Sequence, residues 1–130
     1  MAQRGIATRG VLLDWRSYAL RNNIQYSPFD FHAIPVAELK AVAQEQKVSF
    51  RPGDILIVRS GFTEEYNKFS VEERKALYQR TTRTFIGVDS SEESIKWHWD
   101  MQFAAVAGDT VAYETWPSPK SWGVSLHEVC

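Results

Sequence analysis

The residues that could do chemistry are few and dispersed. The three histidines, His32, His98 and His127, are far apart, and none sits in an H-x-x-H or C-x-x-C spacing. No complete metal site can therefore be read from local sequence. No G-x-S-x-G elbow, P-loop or G-x-G-x-x-G occurs either, which removes the common hydrolase, nucleotide-phosphate and dinucleotide signatures. A histidine within hydrogen-bond reach of a carboxylate can act as general acid and base. The candidates for that pairing are His127 with Asp109 or Glu114. Asp109 follows A-V-A-G at an expected strand end, where α/β sheets gather ligands, although Gly-Asp turn chemistry explains it nearly as well.

The other polar residues have plainer readings. Asp14, before Trp15, reads as a helix N-cap, and Asp54, after Pro-Gly, as part of a turn. His32, in a proline-bounded loop, is expected to satisfy a backbone group. His98 lies in "KWHWD", one place off the Ile95 and Trp99 face, and is expected to face solvent. Trp97, Trp99, Trp116 and Trp122 crowd the last third of the chain together with Tyr113. Such a group can line a pocket for a planar or apolar ligand, and Tyr113, Trp116 and Trp122 are the substrate-binding candidates. For any single tryptophan, simple packing is the stronger reading.

These residues must be positioned by alternating strands and helices. "GVLLDW" (10–15) suits a buried strand, followed by the helical "RSYALRNN". "VAELKAVAQEQ" places Leu39, Val42, Ala43 and Gln46 on one helical face. "RPGDILIVRS" is a Pro-Gly turn feeding a strand over 55–58. Capping boxes at Ser70 with Glu73 and at Ser90 with Glu93 open two helices separated by the brief apolar piece "FIGV", and "FAAVAGD" supplies the last clear strand. In "SLHEV", Ser125 is an N-cap and Glu128 the third helical residue. The alternation predicts an α/β fold, with a mixed, partly parallel sheet and flanking helices, in one domain spanning 1–130.

Composition narrows the partners. With 15 Lys and Arg against 16 Asp and Glu, and no run of either sign, nothing funnels the chain toward phosphate backbones or anionic membranes. Nucleic acid and membrane are not expected as partners. A single cysteine, Cys130, and no apolar stretch after Met1 predict a reducing, cytoplasmic setting. Nothing cationic near Cys130 would activate its thiol.

Several stretches taken in order resemble a known family. "TRGVLLDW", "FHAIPVAELKAVAQEQKVSFRPGDILIVRSGFTEEY", "GVDSSEESIKWHWDMQFAAVAGDTVAYETWP" and "LHEV" look like the fungal branch of the cyclase family, related to bacterial kynurenine formamidase. The resemblance implies a swivelling β/β/α fold and metal-dependent hydrolysis of amide, ester or lactam-like bonds with zinc or manganese. The family's H-x-G-T-H-x-D motif lies upstream of the region matching Arg9 and Gly10, and His127 is the one metal position that carries over. The expectation is a truncated member that binds no metal by itself and does not hydrolyse alone. It would act through a small-molecule pocket or through self-association as a homo-oligomer. Zinc or manganese enters only if a complete site forms, for instance across chains. The alternative is a metal-independent isomerase or cyclase using His127 with Asp109 or Glu114.

Overall fold

The computed structural model describes residue 5, residues 7–119 and residues 125–129. In chain order its elements are β1 (Gly10–Leu13), α1 (Trp15–Arg21), β2 (Ala33–Ile34), α2 (Val36–Glu45), β3 (Ile55–Val58) and α3 (Phe62–Lys68). There follow α4 (Val71–Tyr78), β4 (Gly87–Val88), α5 (Glu92–Asp100), β5 (Ala105–Gly108) and α6 (Leu126–Val129). The expected α/β architecture is present. Two small sheets form, ordered β1-β3-β5 and β2-β4, and every strand pair in them is parallel.

Parallel pairing requires a crossover between neighbouring strands, and the helices supply it. The apolar run of β3 lies between β1 and β5, with Leu12 opposite Ile57 and Ile57 opposite Ala107. Leu13, Leu39, Val42 and Leu56 are fully buried and join Trp15, Ile34, Val88, Trp97 and Leu126 in one core. Each leucine so buried contributes roughly 1.5–3 kcal/mol. A second cluster of Phe29, Phe62, Leu77 and Phe85 lies under α3 and α4.

Local signals placed most boundaries. Asp14 caps α1, accepting from Ser17 N–H at 3.0 Å and from the Ser17 hydroxyl at 2.7 Å. Ser70 and Glu73 form the expected capping box. Two expectations need correction. The cap of α5 is Ser91, which accepts from Ser94 N–H at 3.3 Å, whereas Ser90 is buried and shares a hydrogen bond with Ser118. Gln46 is exposed instead of joining Leu39, Val42 and Ala43 in the core. It follows the last turn of α2, where its amide oxygen accepts from Asp14 N–H at 3.1 Å.

The short β2-β4 sheet does more for the site than its length implies. Beyond it, Phe85 pairs antiparallel with Trp116, and Val88 bridges in parallel to Glu114. Val88 N–H donates to the Tyr113 carbonyl and Thr115 N–H to the Val88 carbonyl, both at 2.9 Å. Residues 113–116 are thereby held against the buried strand. Gly87 makes the approach feasible, because a Cβ there would overlap the Glu114 carbonyl group.

Candidate active site

Glu114 is the centre of the site. Fixed beside β4, its side chain is only 2% exposed. A buried carboxylate is costly unless its oxygens are satisfied, and here the start of α6 satisfies them. Leu126 N–H donates to Oε2 at 2.6 Å and His127 N–H to Oε1 at 3.4 Å. Because a carboxylate only accepts, its 2.5 Å contact with His127 places the ring hydrogen on Nδ1. The Nε2 lone pair of the neutral ring is then available as a base, with Glu114 stabilising the imidazolium that forms. The His127 side chain is 63% exposed. Of the expected Ser125–Glu128 cap only the reciprocal half is present, Ser125 N–H and its hydroxyl donating to the Glu128 carboxylate at 2.7 and 2.9 Å, while the first helical N–H groups go to Glu114.

Beside this pair opens a cavity of about 770 Å³, lined among others by His98, Trp99, Phe103, Tyr113, Leu126 and His127. That volume lies within the range of small-molecule sites. His98 was expected to face solvent, and the structure overturns this, with the residue only 4% exposed. The buried stripe of α5 runs through Ser94, Trp97 and His98, and Trp97 packs edge-on against Phe50 and Phe103. Trp99 instead is 73% exposed at the cavity. His98 tolerates burial because both ring nitrogens have partners, Ser94 O and Tyr113 Oη, each at 2.7 Å. Burial pushes its pKa below the ordinary histidine value, partly opposed by the Ser94 bond. Reading the spacing 94, 97, 98 as the buried face would have found it.

The other candidates go elsewhere. Asp109 follows β5 and holds the start of α3, accepting from Ser60 N–H at 2.6 Å, the Ser60 hydroxyl at 2.8 Å and Gly61 N–H at 2.9 Å. Thus His127 meets Glu114, while Asp109 holds the residues that lead into α3. Tyr113 lines the cavity; Trp116 does not, its backbone pairing with Phe85. Trp122 and Cys130 lie outside the described residues. Asp14 also binds Arg59 at 2.7 Å. Burial works to raise its carboxyl, but the Ser17 bonds and the Arg59 guanidinium outweigh this and hold it below the usual range. Asp54 is gripped by the Arg9 guanidinium at 2.9 and 2.6 Å, which holds its carboxyl low. The His32 ring lies 5.4 Å from Trp15 and 5.5 Å from Tyr26, and burial lowers its pKa.

A family model, Cyclase, matches residues 1–115. The chain belongs to the Cyclase family. A crystal structure described as that of a novel cyclase matches with a TM-score of 0.70 and 26% identity. The match covers 89% of this chain and 35% of that one, so this cyclase-family chain spans about a third of the length of that solved relative. No curated protein matches it. No helix among the described residues is long and apolar enough to cross a membrane.

The metal that the resemblance implies can be tested on the donors present. Glu114 spends both oxygens on α6 and the His127 ring, leaving His127 Nε2 as the one outward donor of the pair. Among the described residues no group of three or more His, Cys, Asp or Glu side chains is placed to hold a metal ion. A catalytic zinc needs about three protein ligands. These residues alone do not fit one.

Proposed function

We propose that this cyclase-family chain carries the ligand-binding and acid–base portion of an amide-, ester- or lactam-hydrolysing site, and that alone it binds a small molecule without hydrolysing it. The observation that carries this reading is the 2.5 Å contact between buried Glu114 and His127 at the mouth of the cavity. Glu114 fixes the ring, Nε2 takes a proton from a ligand or water, and the apolar wall of Phe103, Val106 and Leu126 holds the ligand body. Attack by such a water would still lack the Lewis acid that polarises a carbonyl in metal-assisted hydrolysis. Any further ligands must come from outside the described residues, and a second copy of the chain is one source. Assembly as a homo-oligomer, with zinc or manganese shared between copies, belongs to the same reading.

The test is to dialyse the purified chain against a chelator, measure its metal content and mass, and titrate it with N-formylkynurenine. Binding without turnover, weakened by Glu114→Gln and His127→Ala, is expected. One tightly held zinc or manganese per monomer together with turnover would overturn the silence of the isolated chain. Binding indifferent to both substitutions would overturn the site. The same contact supports a second reading, a metal-independent isomerase or cyclase in which His127 and Glu114 move the proton. Proton exchange into a bound carbon acid without hydrolysis would select it.

A further inference from the structure

Most polar groups in the cavity lining are already engaged with one another. His98 uses both ring nitrogens, on Ser94 and Tyr113, and His127 uses Nδ1 on Glu114. Gln102 differs from both. It lines the same cavity, it is exposed, and among the described residues its side-chain amide makes no hydrogen bond. A carboxamide carries a donor and an acceptor side by side in one plane. The backbone that carries it is fixed at both ends: Gln102 N–H donates to the Trp99 carbonyl at 3.0 Å, and its carbonyl accepts from Gly53 N–H at 2.8 Å, with φ at 53°. Glycine adopts this left-handed conformation at a helix end more readily than glutamine does. Asn23 and Lys47 follow α1 and α2 in the same conformation, so the backbone alone marks a helix ending; of the three, Gln102 is the one that lines the cavity.

We propose that Gln102 is a specificity-determining residue of the cavity, pairing its carboxamide with a ligand group whose N–H and C=O point the same way, as in a lactam or a primary amide. This rests on the cavity being the ligand site proposed above. Such a group makes a cyclic pair with the carboxamide: the side-chain NH₂ donates to the ligand carbonyl, and Oε1 accepts the ligand N–H. An ester has no N–H, and its bridging oxygen would face Oε1 with no hydrogen between them. A trans secondary amide points its N–H and C=O in opposite directions and can use only one of them here. Exposed Trp99 and half-buried Phe103 supply flat apolar surface in the same cavity for the rest of the ligand. The matched probes are 2-quinolone, a planar bicyclic lactam, and coumarin, the lactone of the same shape.

Both probes are titrated by NMR into the full chain and into Gln102→Met and Gln102→Gly. The first variant keeps the reach of the side chain without its amide. The second removes the side chain at a conformation that glycine accepts, so the fold is retained. The lactam is expected to bind about three- to tenfold more tightly than the lactone, with the preference reduced to about twofold or less in both variants. The side-chain amide signals of Gln102 should shift as the lactam binds. A preference that survives in either variant overturns the role of Gln102. Equal affinities in the unaltered chain, with both probes perturbing Trp99 and His127, overturn that role while leaving the cavity as the ligand site. No perturbation of the cavity residues by either probe overturns both.

Discussion

Asp109 and Glu114 lie close together in sequence, and each accepts backbone N–H groups at the start of a helix, α3 for Asp109 and α6 for Glu114. Their surroundings differ. Asp109 is also bound by the Ser60 hydroxyl and Glu114 by the ring of His127. The first arrangement holds a helix start on the carboxyl end of the sheet; the second holds a helix start and orients a base beside a cavity. Capping alone therefore does not separate a structural carboxylate from a chemical one. The separation comes from which side chain the capped helix presents as its next donor.

Gly87→Ala attacks the comparison at its root, because the added methyl would push Glu114 off β4 and leave Asp109 alone. A loss of about 3 kcal/mol in urea unfolding is expected from such overpacking, along with loss of the ordered His127 ring. Glu114→Ala should cost about 2–3 kcal/mol, since charge-assisted bonds to two backbone N–H groups and a ring disappear. It should also abolish ligand binding. Asp109→Ala should cost about 1–2 kcal/mol through the lost bonds to Ser60 and Gly61 yet leave the cavity's affinity unchanged. Equal loss of binding in the two variants would erase the distinction drawn between them.

Acid titration sharpens the same contrast. His98 binds its proton less readily folded than unfolded, so the unfolded chain takes up more protons as pH falls through the ordinary histidine value of 6.5. Its stability contribution is present above that range and lost below it. Asp14 and Asp54 have lowered folded-state pKa values, so their contributions persist to lower pH and fade only as pH falls below 3.8, the ordinary aspartate value. Urea midpoints followed from pH 8 downward should first decline through the histidine range, and His98→Gln should reduce that step to the part due to His32. The smallest stability change belongs to His127→Ala, about 0.5 kcal/mol or less for an exposed ring, although proton transfer in the cavity should be lost.

The elements were largely readable from sequence, and the site only partly. The I-L-I-V run, the Ser70–Glu73 box and the Asp14 cap all act within a turn or two of chain, which is why sequence exposes them. The Ser90 and Ser91 caps differ by one residue, and the choice fell to Ser91 because Ser90 is taken by Ser118, far along the chain. His98 was misplaced for a related reason. Two helical stripes of similar polarity were available, and the packing of Trp97 on Phe50 and Phe103 selected the one that buries the histidine. The aromatic crowding did mark the cavity region, through Trp99 and Tyr113.

By itself, the sequence determined most of the strands and helices, β2 and α3 excepted, that the strands would pair at least partly in parallel, and that His127 opens a helix, because periodicity and capping are decided by near neighbours. It left Asp109 and Glu114 as equal candidates for that histidine. Tertiary structure made the choice: the bridge from Val88 to Glu114, permitted by the missing side chain of Gly87, sets one carboxylate under α6, while the β3–β5 pairing delivers the other to α3. Hydrogen bonds act over about 3 Å, so only the path of the chain through space could decide which acid meets the ring.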